Sequence, residues 1–304
     1  MINFKIQVLP RITEGSGAIK IARTDFSHEA LAKLSKDERF RELKLGGIDL
    51  FDGMKLRLLS QEDVEILLTS SHLLHGTLLL PGTPVLEKCV NDKDKDYQRI
   101  DETMRNGVLA LRLLKGGIVQ ADSLFFILVS EEGQRLAVKS SGNEPILQNL
   151  RQEYALKFDE IAELRSILEK VHKAHATDLK NLLLACRRFQ RVYTETDPED
   201  KLIDMIIAFE ALFIRGEKIK IIGERIASDC SRLIGETEKD QEKIKEFLSK
   251  AYRIRNSIVH GSEYPQVIEY QDYRYFLGAF VFFIEDYLRR SIKRSLDTES
   301  SSVL

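Results

Sequence analysis

Apolar and polar residues alternate along Ile2–Leu9 (INFKIQVL), the pattern of a half-buried strand. Gly17–Ala22 and Lys55–Leu59 carry the same alternation more weakly. Ser60 stands three residues before Asp63, which opens the apolar run Val64, Ile66, Leu67, Leu68, so a short capped helix is predicted there. Ile100–Lys115 (IDETMRNGVLALRLLK) repeats its apolar positions at helical spacing and stops at Gly116-Gly117. Ser123–Ser130 (SLFFILVS) and Arg135–Lys139 (RLAVK) flank a Gly-containing turn and predict a β-hairpin.

After Pro145 the pattern changes. Pro and Gly become rare and 3.6-residue periods dominate, predicting helices over 146–174, 178–194, 198–214, 217–233, 239–260 and 269–293. The fold class that follows is α+β. A mixed α/β N-terminal domain (1–145) leads through a connecting helix (146–177) into an all-α bundle (178–293). The polar end 294–304 reads as a flexible tail. Residues 91–99 (NDKDKDYQR) read as a charged connector.

Composition narrows the function. The chain has 304 residues, 46 Lys plus Arg, 48 Asp plus Glu and a net charge of −2. Such a balance excludes a bulk electrostatic nucleic-acid binder but leaves room for local contact with RNA. Three scattered cysteines form neither a disulfide framework nor a zinc set, and they fit a reducing, cytoplasmic setting. The start (MINFKIQVLPRITEG) lacks the basic and apolar regions of a secretory signal. The apolar window Phe276–Ile284 falls far short of the ~20 residues that span a bilayer.

Candidate chemistry concentrates in Ala251–Gly261 (AYRIRNSIVHG). Asn256 and His260 stand at i and i+4 and share a helix face, with Arg255 one position before. Gly261 occupies the position of a helix-ending C′ glycine, so His260 falls in the last turn, where carbonyl dipoles favour a protonated imidazole. A histidine titrating near neutrality can move protons at a phosphate ester, and an arginine can stabilise charge developing on its oxygens. The same spacing also suits a capping histidine beside a salt-bridged arginine.

The second informative stretch is Asp197–Ile214 (DPEDKLIDMIIAFEALFI). Asp197 is an N-cap and Pro198 fits the first helical position. Leu202, Ile206, Phe209 and Phe213 form one apolar stripe; Ile203, Ile207 and Ile214 form another that includes Glu210. A helix apolar most of the way round is central to a bundle. Glu210 is then predicted to be buried and paired. It either fixes helix packing or orients Arg255 or His260.

These residues carry a family resemblance. The run RNSIVHG after Ala251-Tyr252, the aliphatic-Glu helix IIAFEALF and the preceding CRRFQRVY (Cys186–Tyr193) together resemble the HEPN superfamily, specifically Apea-like HEPN domains. The resemblance covers about 178–265 and extends to about 293, with Ala110–Gln120 similar to a segment that often precedes such domains. It implies a four- to five-helix bundle and a homodimer whose R-x4-H motifs, here Arg255 to His260, face each other. It also implies metal-independent endoribonuclease activity in toxin–antitoxin or antiviral defence systems, with no cofactor.

On that reading Arg255, Asn256 and His260 are catalytic, Glu210 and Tyr252 support them, and Arg187, Arg188, Arg191 and Arg253 are candidate RNA contacts. The substrate is single-stranded or unpaired RNA, and an antitoxin or trigger protein is the expected partner. The alternative is a non-catalytic HEPN module that binds a nucleotide, RNA or a protein. His72/His75 and His172/His175 have i, i+3 spacing but lack partners that would complete a metal set.

Overall fold

A computed structural model of the protein describes residues 3–10, 47–69, 84–90, 97–117, 119, 121–129, 135–139, 154, 156–214, 221–271 and 273–301. The strand predicted at Gly17–Ala22, the pair His72/His75, and residues 91–96 of the charged connector lie outside them. The architecture is α+β: an antiparallel sheet with short helices, then packed helices. The chain divides into two compact units, Met1–Glu169 and Lys170–Leu304.

In the first unit, β1 (Asn3–Pro10), β2 (Ile48–Asp49), β3 (Met54–Leu58), β4 (Pro84–Val90), β5 (Ala121–Val129) and β6 (Arg135–Lys139) form one sheet of order β2-β3-β4-β1-β5-β6. β1 pairs antiparallel with both β4 and β5, and β5 pairs with β6 as the predicted hairpin. Helix α1 (Gln61–Thr69) starts at the expected cap: Ser60 Oγ accepts from Asp63 N–H at 3.1 Å and Asp63 Oδ2 accepts from Ser60 N–H at 3.0 Å.

Helix α2 (Tyr97–Leu114) takes in the last three residues of the predicted 91–99 loop. It packs at Gly107, where an added Cβ would lie 2.8 Å from Met54 Sδ and 2.9 Å from Leu86 Cδ1. Only a residue without a side chain lets the helix approach this closely.

The helix predicted over 146–174 begins at Ile161 instead, as α3 (Ile161–Ala176), after a 3₁₀ turn at Phe158–Glu160; residues 146–153 lie outside the described set. Tyr154 and Leu156 are fully buried outside any helix or strand, and Tyr154 Oη donates to Leu111 O at 2.9 Å. The division between the units falls inside α3.

The second unit contains α4 (Lys180–Arg191), α5 (Pro198–Phe213), α6 (Ile222–Ile234), α7 (Glu238–Val259) and α8 (Leu277–Ser301). Helix α5 touches the other four, as its nearly continuous apolar surface predicts, and Leu202, Met205, Ile206, Ala208 and Phe209 are fully buried. Asp197 caps it by accepting from Glu199 N–H at 2.7 Å. Phe247 of α7 is an aromatic hub. Its ring centroid lies 4.2 Å from Phe280, 4.7 Å from Tyr270, 5.4 Å from Tyr287 and 5.8 Å from Phe283.

Two predictions fail near the C-terminal end. The helix over 269–293 gives way at its start to a hairpin, β7 (Val267–Tyr270) and β8 (Tyr273–Phe276), turning at Gln271 with φ +48°. Its short aromatic and β-branched run fits a two-residue period as well as a helical one. The flexible tail is not one through Ser301, because α8 continues to that residue. Ile284, Leu288, Ile292 and Leu296 extend one buried stripe, and Lys170 pairs with Asp297 at 2.7 Å.

Candidate functional site

Helix α7 begins at Thr237, whose side chain accepts from Asp240 N–H at 3.2 Å. Ile244, Phe247, Leu248, Ala251 and Ile254 form its buried stripe. The stripe beside it, Tyr252, Arg255, Asn256 and Val259 at i, i+3, i+4 and i+7, is left less covered. Helical spacing alone therefore gathers Tyr252, Arg255 and Asn256 on one surface, with His260 beyond it at the C-cap.

Gly261 ends the helix as predicted. Its φ is +65°, its N–H donates to Ile258 O at 3.1 Å, and Ser262 N–H donates to Ser257 O at 2.8 Å. That bond pair is a Schellman motif, and its left-handed residue favours glycine. No atom lies within 4 Å of a Cβ added at Gly261, so the requirement is conformational and not steric. His260 is the C-cap; its N–H donates to Asn256 O at 3.0 Å and its side chain is exposed to solvent.

The structure brings together Arg255, Asn256, Tyr252 and Glu210. Arg255 Nη1 donates to Asn256 Oδ1 at 3.1 Å, and Nη2 stands 3.8 Å from Glu210 Oε1. The guanidinium carbon is 5.9 Å from the Tyr252 ring centroid. Arg255 Nε is buried without an acceptor among the described residues. Burial pushes the Tyr252 hydroxyl above its ordinary value; the Glu210 charge pushes the same way, and Arg255 opposes it.

Glu210 is paired with the α7 helix as expected, but it is half-buried rather than buried, its side chain 28% exposed. Ile203, Ile207 and Ile214, which share its stripe, are half-buried too. The α5 surface carrying Glu210 is thus the edge of the core, and a carboxylate there keeps part of its hydration.

The four candidate RNA-contacting arginines separate. Arg188 Nη1 pairs with Asp204 at 2.7 Å and Arg191 Nε at 3.0 Å, and Asp204 is buried in α5. These two hold α4 to α5. Arg187 is exposed. Arg253 is exposed and donates from Nε to Ser249 O at 3.3 Å. Sequence reasoning passed over Asp204. Its signal was a lone acid inside LIDMI, facing a preceding helix with arginines at i and i+3.

Two further contacts brace the site. Tyr264, three residues past Gly261, donates to Glu199 Oε1 at 2.5 Å and ties the loop after the motif to the first turn of α5. On the other side, a cleft of about 540 Å³ opens between the start of α6 and α7, with Tyr252, Arg253 and Asn256 in its wall. An added Cβ at Gly223 would lie 2.5 Å from the Tyr252 ring, so glycine there is what lets α6 seat that ring.

Among the described residues no cluster of three or more His, Cys, Asp or Glu could hold a metal ion. No described helix is long and apolar enough to cross a membrane. Compared with protein-family models, curated proteins and solved structures, the chain matches none of them.

Proposed function

We propose that the chain is a metal-independent endoribonuclease of the HEPN type, acting on single-stranded or unpaired RNA as a homodimer built on the helical unit. The observation that carries this reading is the end of α7. There Arg255 is oriented by Asn256 and Glu210, while His260 stands exposed at the cap one turn beyond Asn256. An oriented cation and a solvent-open imidazole are the two groups that transesterification of RNA needs.

The ribose 2′-hydroxyl attacks the adjacent phosphorus and the bond to O5′ breaks. His260 takes the 2′-hydroxyl proton, and His260 of a second copy donates a proton to the leaving O5′. The products are a 2′,3′-cyclic phosphate and a free 5′-hydroxyl. Arg255 stabilises the charge on the phosphoryl oxygens, and tethering of the nucleophile beside its target lowers the barrier. A second copy is supported by the half-buried Ile203, Ile207 and Ile214 on α5 and by Val259, 49% exposed on the motif helix. A role in toxin–antitoxin or antiviral defence, in the cytoplasm and with an antitoxin or trigger as partner, belongs to the same proposal.

The burial of Arg255 and its two intramolecular contacts favour a second reading, a non-catalytic module whose motif packs the bundle. Incubating the purified full-length chain with single-stranded RNA in EDTA separates the two. The ribonuclease cleaves, and His260→Ala and Arg255→Ala each slow cleavage by ~10²–10⁴. Absence of cleavage by a folded dimer refutes the enzyme.

A further inference from the structure

The cleft beside the motif has chemistry that the cleavage step does not use. Its walls carry the apolar Ile221, 57% exposed, together with the exposed Glu224 and Arg253, the amide of Asn256 and the Tyr252 ring seated by Gly223. At about 540 Å³ it lies within the range of small-molecule sites and exceeds the needs of one nucleobase. We propose that this cleft holds one unpaired guanine base of the RNA, an inference that rests on the ribonuclease reading above.

Each wall group narrows the occupant. Glu224 presents a carboxylate, which repels phosphate and accepts hydrogen bonds through two oxygens. Guanine alone offers two adjacent donors on its Watson–Crick edge, N1–H and the N2 amino group, and meets a carboxylate with both. Adenine and cytosine each set an acceptor nitrogen beside their amino group, and uracil flanks N3–H with two carbonyls. A carboxylate repels those acceptors. Asn256 Oδ1 already accepts from Arg255, so its amide NH₂ remains for an acceptor such as guanine O6 or N7. Ile221 supplies an apolar surface for one face of the base, and the exposed Arg253 guanidinium can lie over the other. Asn256 joins this cleft to the motif, so a base seated here brings a neighbouring phosphate toward Arg255 and His260.

The test uses the full-length His260→Ala chain, which binds RNA without cutting it. Its affinity is measured by fluorescence anisotropy for labelled ten-residue adenosine oligoribonucleotides carrying one central guanosine or one central inosine, which lacks the N2 amino group. Inosine binds roughly tenfold more weakly than guanosine, within the discrimination of one paired contact. Glu224→Gln, an exposed and isosteric change, lowers guanosine to the inosine level. Tight binding with no guanosine preference, or a preference that survives Glu224→Gln, overturns the guanine site and leaves the ribonuclease reading standing. No binding to either oligonucleotide overturns both.

Discussion

Asp204→Ala is the substitution that best separates structural arginines from RNA-contacting ones. The Asp204 side chain is 6% exposed, and Arg188 and Arg191, 32% and 59% exposed, converge on it at 2.7 and 3.0 Å. A hydrogen bond to a charged group contributes about 1.5–3 kcal/mol, and the well-exposed Arg191 pair adds only about 0.5 kcal/mol. Alanine recovers about 0.5 kcal/mol through its helix propensity, and both arginines can turn to water. The net loss is about 1.5–3 kcal/mol. Arg188→Ala, which leaves Asp204 buried with one partner, costs about 1–2 kcal/mol, and Arg191→Ala about 0.5 kcal/mol. The readout is urea unfolding followed by circular dichroism at 222 nm, where helices dominate the signal. The order Asp204→Ala, then Arg188→Ala, then Arg191→Ala is the expected ranking. If the arginine variants unfold like wild type yet lose RNA binding, the clamp reading is wrong and both belong to an RNA surface.

Burial pushes the Cys186 and Cys230 thiols up to about 12. In a Cys89→Ser background at pH 8, neither should react with a thiol reagent until urea opens the helical unit, and reaction within seconds in native buffer would contradict that packing. The hydrogen bond to Glu199 raises Tyr264 to about 12, with burial and the charges of Glu199 and Asp197 adding to it. Because the folded value is the higher one, this contact stabilises fully below about pH 10 and is lost as pH rises through about 12. Tyr264→Phe should therefore destabilise at pH 8 and progressively less toward pH 11.5, and a constant difference across that range would refute the contact. Sedimentation at micromolar concentration should show a dimer that Ile207→Glu converts to a monomer with unchanged helicity; a wild-type monomer would remove the second copy from the proposed site.

The sequence shows α5 and α7 well because their signals are local and redundant. Asp197 and Pro198 mark one start, Gly261 marks one end, and stripes of three to five apolar residues fix the buried faces. The Arg255–Asn256 neighbourhood follows from spacing on α7, while its partner Glu210 was legible as a charge in an apolar stripe. The depth of Glu210 was not, since it depends on where the bundle's edge falls. The hairpin at Val267–Phe276 stayed hidden because eight strand residues cannot separate a period of two from one of 3.6. The clamp on Asp204 and the cleft beside Tyr252 arise from contacts between helices, and no pattern within one helix encodes them.

The end chemistry of the RNA product tests the central claim most directly. Wild-type chain is incubated in EDTA with a single-stranded oligoribonucleotide, and with the same oligonucleotide carrying a single 2′-deoxy residue at the cut position. The account predicts a 2′,3′-cyclic phosphate and a 5′-hydroxyl from the first and no cleavage at that position in the second, because the nucleophile is the missing hydroxyl. A 5′-phosphate, a need for added magnesium, or cleavage at the deoxy position would contradict the assignment of Arg255 and His260 as the catalytic pair.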